Sequence, residues 1–334
     1  MADRDAAEAF LRRWVIGAIA LCSVVVVLGA FTRLTDAGLG CPDWPGCYGL
    51  VGVPQTEAQI AQAEALFPDA PVEVGKAWME MVHRYFASAL GLVIVIIAGL
   101  AWRRRHSGTP LKLPLALVAL VCLQGAFGAW TVTLKLWPQV VTLHLLGGFA
   151  TLSLLWLLAL RLGVGRGWRI GASVRGLATA ALVLVVLQSA LGGWVSSNYA
   201  ALACGDFPTC DGSFWPEANY SEGFDIFQDV GPNYLGGQLH REARVAIHYS
   251  HRVLALVVTV LVGLLAFRLW RRGDALAGVL ASALLLQLGL GITNIVAQLP
   301  LLVATAHNAG AALLLLVLVA VNYRSRQPGL AVER

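Results

Sequence analysis

The sequence predicts an all-α integral membrane protein of eight transmembrane helices, arranged as two tandem, pseudo-symmetric four-helix bundles. Three observations predict it. Of 334 residues, 58% are hydrophobic and only 13% charged, with a mean hydropathy of +0.71, far from the roughly quarter-charged soluble average. The charge-free stretches are long enough for spans of about 20 apolar residues. Sequence motifs also recur at a fixed offset, which marks an internal repeat.

In chain order the spans are expected at 14–34, 78–102, 113–133, 139–160, 176–196, 245–267, 275–296 and 301–322. The sixth charge-free stretch is short only because His248, His251 and Arg252 belong to its helix. The seventh holds two helices, broken near Gln298-Leu-Pro300. Two connections are long, about 35–77 and 197–244. Their Pro, Gly, Asp and Asn content reads as turn-rich loop, with one short amphipathic helix around Glu57–Phe67.

Orientation follows from the basic residues. With the N-terminus inside, the inner segments hold Arg4, Arg12, Arg13, Arg103, Arg104, Arg105, Lys112, Arg161, Arg166, Arg169, Arg175, Arg268, Arg271, Arg272, Arg324, Arg326 and Arg334. The positive-inside rule then places both termini in the cytoplasm. The net charge of +5 is thus a topology signal. It gives no support for nucleic-acid binding, which needs a basic stripe on a soluble face. No cleavable signal precedes the first span, so an uncleaved anchor in a bacterial inner membrane is expected.

The repeat divides the chain into residues 1–165 and 166–334. Cys41-Pro-Asp43-Trp44-Pro45-Gly-Cys47 is echoed by Cys204-Gly-Asp206-Phe207-Pro208-Thr-Cys210, and Gln124-x-x-x-Gly128 by Gln287-x-x-x-Gly291. Both pairs, and His144 with His307, are offset by 163 residues; His83-Arg84 matches His251-Arg252 at 168. An even number of spans restores the starting side, so the halves are parallel rather than inverted.

Each half thereby supplies two intramembrane histidines, His83 and His144 in the first, His251 and His307 in the second. Histidine in a bilayer is rare and by default functional. Two per four-helix bundle at matched depth suggest axial ligands to a buried haem iron. The alternatives are hydrogen bonds between helices or a proton path. Zinc fits less well, since no acid or thiol repeats at ligand spacing. Arg84 and Arg252 either pair with haem propionates or are interfacial arginines. Gln124, Gln188 and Gln287 each precede a glycine by four residues, which puts a polar group and a small surface on one helix face for close approach of a helix or a macrocycle; helix packing alone explains them. Glu80 lies one turn before His83, where the second half has His248. Only the first half therefore has a carboxylate beside its histidine, either a proton-transfer group or a rim acid paired with Arg84 or Lys76. This asymmetry suggests that the first half reacts and the second transfers electrons. The loop cysteines lie on the outer side, where disulfides persist. Bridges Cys41–Cys47 and Cys204–Cys210 are expected, as staples or as redox-active pairs; Cys22 and Cys122 read as apolar filler.

Arg33-Leu-Thr-Asp-Ala-Gly-Leu-Gly-Cys41-Pro-Asp-Trp-Pro-Gly-Cys47, Glu80-Met-Val-His83-Arg84, Thr142-Leu-His144, Gly192-Gly-Trp-Val-Ser-Ser-Asn, His248-Tyr-Ser-His251-Arg252 and Ala306-His307-Asn resemble the haem A synthase (Cox15/CtaA) family across all eight spans. The resemblance implies oxidation of the C8 methyl group of haem O to a formyl group, giving haem A for cytochrome c oxidase. It implies that His83 and His144 hold the substrate haem, with Glu80 the catalytic carboxylate, and that His251 and His307 hold a haem b cofactor. Expected partners are haem O, membrane lipid, haem O synthase and cytochrome oxidase assembly factors. The rival readings are a dihaem cytochrome b oxidising quinol, and a haem carrier without chemistry.

Overall fold

The computed structural model describes residues 2–105, 111–165 and 172–327. Arg166, Arg169 and Arg334, used above for orientation, lie outside the described residues, as does the start of the second half at residue 166. Ten α-helices are present among the described residues: α1 (Ala2–Leu34), α2 (Glu57–Leu66), α3 (Val74–Arg103), α4 (Lys112–Thr133), α5 (Pro138–Arg161), α6 (Arg175–Ser197), α7 (Tyr220–Gly223), α8 (Arg241–Trp270), α9 (Leu276–Val296) and α10 (Leu301–Ser325). Eight of them, all but α2 and α7, are long and apolar enough to cross a membrane, matching the expected spans.

The helices overrun those expectations where polar residues continue the helical backbone beyond the apolar stretch. α3 begins at Val74 and α8 at Arg241, so each extends about 45 Å at 1.5 Å per residue. The short loop helix is present as α2, opened by a capping box in which Thr56 and Gln59 each accept the other's backbone N–H. The single turn α7, capped by Asn219, carries no periodic signal and was not foreseen.

Packing is governed by a closed ring in each half. α1 packs on α3, α3 on α4, α4 on α5 and α5 on α1; in the same way α6 packs on α8, α8 on α9, α9 on α10 and α10 on α6. α3 and α5 are therefore opposite corners of one ring, and α8 and α10 of the other. The halves join through α5, which touches α6 and α10, and through the contact of α1 with α10. One apolar core runs through both rings, with Ile94, Leu155, Leu265 and Leu318 wholly buried. Outward-facing side chains such as Leu92, Val260 and Leu285 are large, apolar and exposed; these suit contact with lipid tails, against which a helix surface loses nothing.

The backbone repeats as the sequence does. Non-glycine residues with positive φ are Asp36, Tyr48, Lys135 and Leu136 in the first half and Tyr199, Asp211, Gln298 and Leu299 in the second, each pair 163 residues apart. A left-handed leucine is uncommon. Leu136 and Leu299 adopt it in the tight turns that join α4 to α5 and α9 to α10, where neither segment is long enough for a looser return.

Candidate functional site

The four histidines occupy the two opposite corners of each ring. His83 lies nine residues after the start of α3 and His251 ten after the start of α8; His144 and His307 each lie six after the starts of α5 and α10. All four are thus roughly 9–15 Å from the N-terminal ends of their helices, on the side of the bundle where the long loops also lie. His144 is near enough to His83 for the two to interact electrostatically, and so is His251 to His307. Diagonal helices presenting one imidazole each across a bundle core form a two-ligand site, the geometry that bundles use for buried cofactors.

Each ring also rests on a glycine of a neighbouring helix. A Cβ at Gly29 would come 2.9 Å from His83 Cε1, at Gly192 3.2 Å from His251 Cε1, at Gly291 3.1 Å from His307 Cε1 and at Gly128 3.7 Å from His144 Cε1. Gly29, Gly128, Gly192 and Gly291 each lie five residues before the end of their helices, α1, α4, α6 and α9. The ring nitrogens Nδ1 of His83, His144 and His307 are buried without a hydrogen-bond partner. A buried imidazole nitrogen left unpaired is costly, and ligation of a haem iron would satisfy the requirement. Among the described residues no three His, Cys, Asp or Glu side chains converge on one point. These are pairs of imidazoles, which fit the two axial positions of a haem and fall short of the four-ligand sets of structural zinc.

Above the histidines lie the cysteine loops, and both pairs, Cys41–Cys47 and Cys204–Cys210, are bridged as expected. Each loop is folded around an aspartate. Asp43 accepts the N–H groups of Tyr48 at 2.6 Å and Gly49 at 2.9 Å; Asp206 accepts those of Asp211 at 2.6 Å and Gly212 at 2.9 Å. The Thr209 hydroxyl, followed by the Gly212 and Asp211 N–H groups, holds the Asp206 carboxyl down at about 2. Nothing in the sequence assigned these aspartates a role; their place in the 163-residue echo was the available signal.

Glu80 and His248 occupy equivalent places beneath these loops, each 4% exposed. Glu80 Oε2 accepts the Cys41 N–H at 2.9 Å, and Oε1 pairs with Arg84. His248 Nδ1 lies 3.3 Å from Cys204 N and Nε2 3.2 Å from Arg252 Nε, and its neutral ring accepts from one of the two. Lys76 pairs instead with Glu73. The arginines clasp the loops: Arg84 donates to the carbonyls of Asp43, Pro45 and Gly46, and Arg252 to those of Cys204, Asp206 and Thr209. One position therefore holds an acid in the first half and a base in the second, within the same loop-anchoring frame. Of the other cysteines, Cys22 is buried, whereas Cys122 lies on the exposed surface of α4.

Comparison with known proteins agrees with this architecture. A family model described as COX15-CtaA, cytochrome oxidase assembly protein, matches residues 12–319. A protein of Shewanella oneidensis named haem A synthase is 48% identical over 90% of this chain and 92% of its own length. Proteins of the same name from Caulobacter vibrioides and Nitrosospira multiformis are each 30% identical over 94% of this chain, and over 96% and 93% of their own lengths. With eight spans, paired histidines and a match over nearly its whole length, the chain belongs to the COX15-CtaA family of cytochrome oxidase assembly proteins.

Proposed function

We propose that this chain is a membrane-bound oxidoreductase, a haem A synthase that converts haem O into haem A for cytochrome oxidase. The observation that carries the reading is an asymmetry between two closely matched histidine sites, Glu80 against His248. A carrier has no use for such a difference, and neither does a cytochrome that only relays electrons.

In this reading residues 1–165 form the substrate half and residues 166–334 the cofactor half. His83 and His144 hold the haem O substrate by its iron, which fixes the macrocycle between α3 and α5 for oxidation of the C8 methyl group to a formyl group. His251 and His307 fit a resident haem b, whose iron, when bound, offers an acceptor for electrons taken from that methyl group. Glu80 holds or moves protons at the outer edge of the substrate site. Its contact with Arg84 orients it at rest, and Cys41 N–H fixes its second oxygen. Arg84 and Arg252 anchor the disulfide loops over the two sites, a position from which either can also meet an outward-pointing propionate. The basic ends of α3, α5, α8 and α10, each with an arginine in its last turn, face the cytoplasm of a bacterial cell, with the cysteine loops on the outer side of the inner membrane.

Pigment extraction tests the reading. Chromatography of haems from the purified protein should yield haem A or a partly oxidised haem O. Unmodified haem alone, from cells that supply haem O, would favour a dihaem cytochrome or a carrier.

A further inference from the structure

Three of the four ligand-facing glycines have a glutamine one helical turn deeper on the same face. Gln124 precedes Gly128 on α4, Gln188 precedes Gly192 on α6 and Gln287 precedes Gly291 on α9. On α1 the equivalent of Gln188, 163 residues earlier, is Val25, four before Gly29. His83 is thus the one histidine of the four whose glycine helix carries no amide.

The glutamines are aimed at the histidine helices. Gln188 Nε2 donates to the His251 backbone carbonyl at 3.0 Å and lies 3.2 Å from each ring nitrogen. Gln287 Nε2 is 3.4 Å from His307 Nε2. Gln287 also presses on Gly310, three residues past its histidine, where a Cβ would come 2.4 Å from Oε1; Gln124 presses on Gly147, three past His144, where a Cβ would come 1.8 Å from Nε2. Each glutamine keeps one buried amide atom without a partner: Gln124 Nε2, Gln188 Oε1 and Gln287 Oε1. Unpartnered amides beside unpartnered imidazole nitrogens are complementary, because a ligating histidine needs a partner for its other ring N–H. Val25, packed among apolar neighbours, meets His83 through its backbone carbonyl alone and has no side-chain amide to add.

We propose that these glutamines lock the ligating histidines, and that valine at position 25 makes His83 the releasable ligand through which a haem enters and leaves the first-half site. The inference rests on the haem reading above and extends it: a substrate must exchange and a cofactor must stay. Gln188 is then a positioning residue for the retained haem, and Val25 a determinant of exchange.

The full-length protein in detergent, purified with its haems, tests this with apomyoglobin as haem acceptor. Gln188→Met keeps side-chain length but removes the amide. It should speed loss of the second-half haem by about 10–100-fold, the usual cost of a lost outer-shell partner, and raise that haem's midpoint potential, because the ligand becomes less basic. A purely structural role would leave the potential of the haem still bound unmoved. Val25→Gln should slow release from the first half, so that haem accumulates there while turnover falls. His251→Ala separates the two levels. If it retains the second-half haem, the haem reading itself fails. If it loses that haem while Gln188→Met exchanges at the parental rate with the parental potential, the glutamine inference alone is overturned. Should Gln188→Met not fold, Val25→Gln decides by itself, and unchanged or faster release from the first half overturns the proposal.

Discussion

Gly29 shows how much a single residue contributes to the first-half site. A Cβ there would come within 2.9 Å of His83 Cε1, closer than real side chains approach, so the ring must move or turn. Alanine favours a helix interior by about 1 kcal/mol over glycine, so Gly29→Ala should keep helicity while displacing one ligand. The expected outcome is loss of the low-spin signal of the first-half haem with that of the second half intact, read by electron paramagnetic resonance alongside circular dichroism. Equal loss at both sites would mean a general packing failure. The opposite selectivity is expected of His251→Ala and His307→Ala, which should insert normally yet lose the second-half haem. A full low-spin bis-histidine spectrum in purified His307→Ala would contradict the ligand assignment. The histidines and Glu80 were legible in the sequence because an intramembrane polar residue stands out against an apolar background. Gly128, Gly192 and Gly291 stood out through the glutamines four residues before them, whereas Gly29, with Val25 in that place, did not. Gln188 was visible but read as packing, and its contact with His251 depends on how α6 and α8 are juxtaposed.

Among the elements, the cysteine loops are the best-defined outside the membrane. Asp206 organises the second loop, and its carboxyl is held down at about 2 by Thr209, Gly212 and Asp211. A depressed carboxylate contributes its full stabilisation above the ordinary value of 3.8 and loses it as pH falls through about 2. Loop protection should therefore persist through pH 4 and collapse only near pH 2. Hydrogen exchange at the Asp211 and Gly212 amides checks this, and Asp206→Asn should raise exchange at both already at neutral pH. Unchanged protection in Asp206→Asn would remove the aspartate from the account. The helices themselves were readable from charge-free length, and α2 from its Thr56–Gln59 capping pair. Their extra turns were not, because backbone hydrogen bonding continues past the expected starts back to Val74 on α3 and Arg241 on α8. Arg84 and Arg252 illustrate the same limit: an arginine at a helix end has many possible partners, and only the folded loop reveals the carbonyls of residues some 40 positions away.

In the molecule as a whole, equivalent residues of the two halves meet each other near the C-terminal ends of α1 and α6. Arg33 donates to the Ser196 carbonyl at 2.5 Å, and Tyr199 hydroxyl to Asp36 at 2.8 Å. Both pairs are separated by the repeat offset of 163, so the pseudo-twofold axis passes between them. Arg33 also stacks 4.1 Å over the Tyr199 ring and ties the halves together at that axis. The repeat was visible in sequence, but not which of its copies touch. The helices bearing His144 and His307, α5 and α10, pack directly on one another, which sets the two histidine pairs back to back. Against this near-symmetry, the difference at Glu80 and His248 is the feature on which the proposed division of tasks rests. The direct test is haem extraction and chromatography from a strain lacking its own enzyme and expressing Glu80→Gln or His248→Gln. Glutamine keeps the size of Glu80 and can still accept the Cys41 N–H, but it cannot exchange a proton. Product formation should fall by about 10²–10⁴ in Glu80→Gln, with haem O or an intermediate accumulating and the second-half haem retained, while His248→Gln stays much closer to the parent. Normal haem A from Glu80→Gln, with His248→Gln inactive, would contradict the assignment of the reacting half.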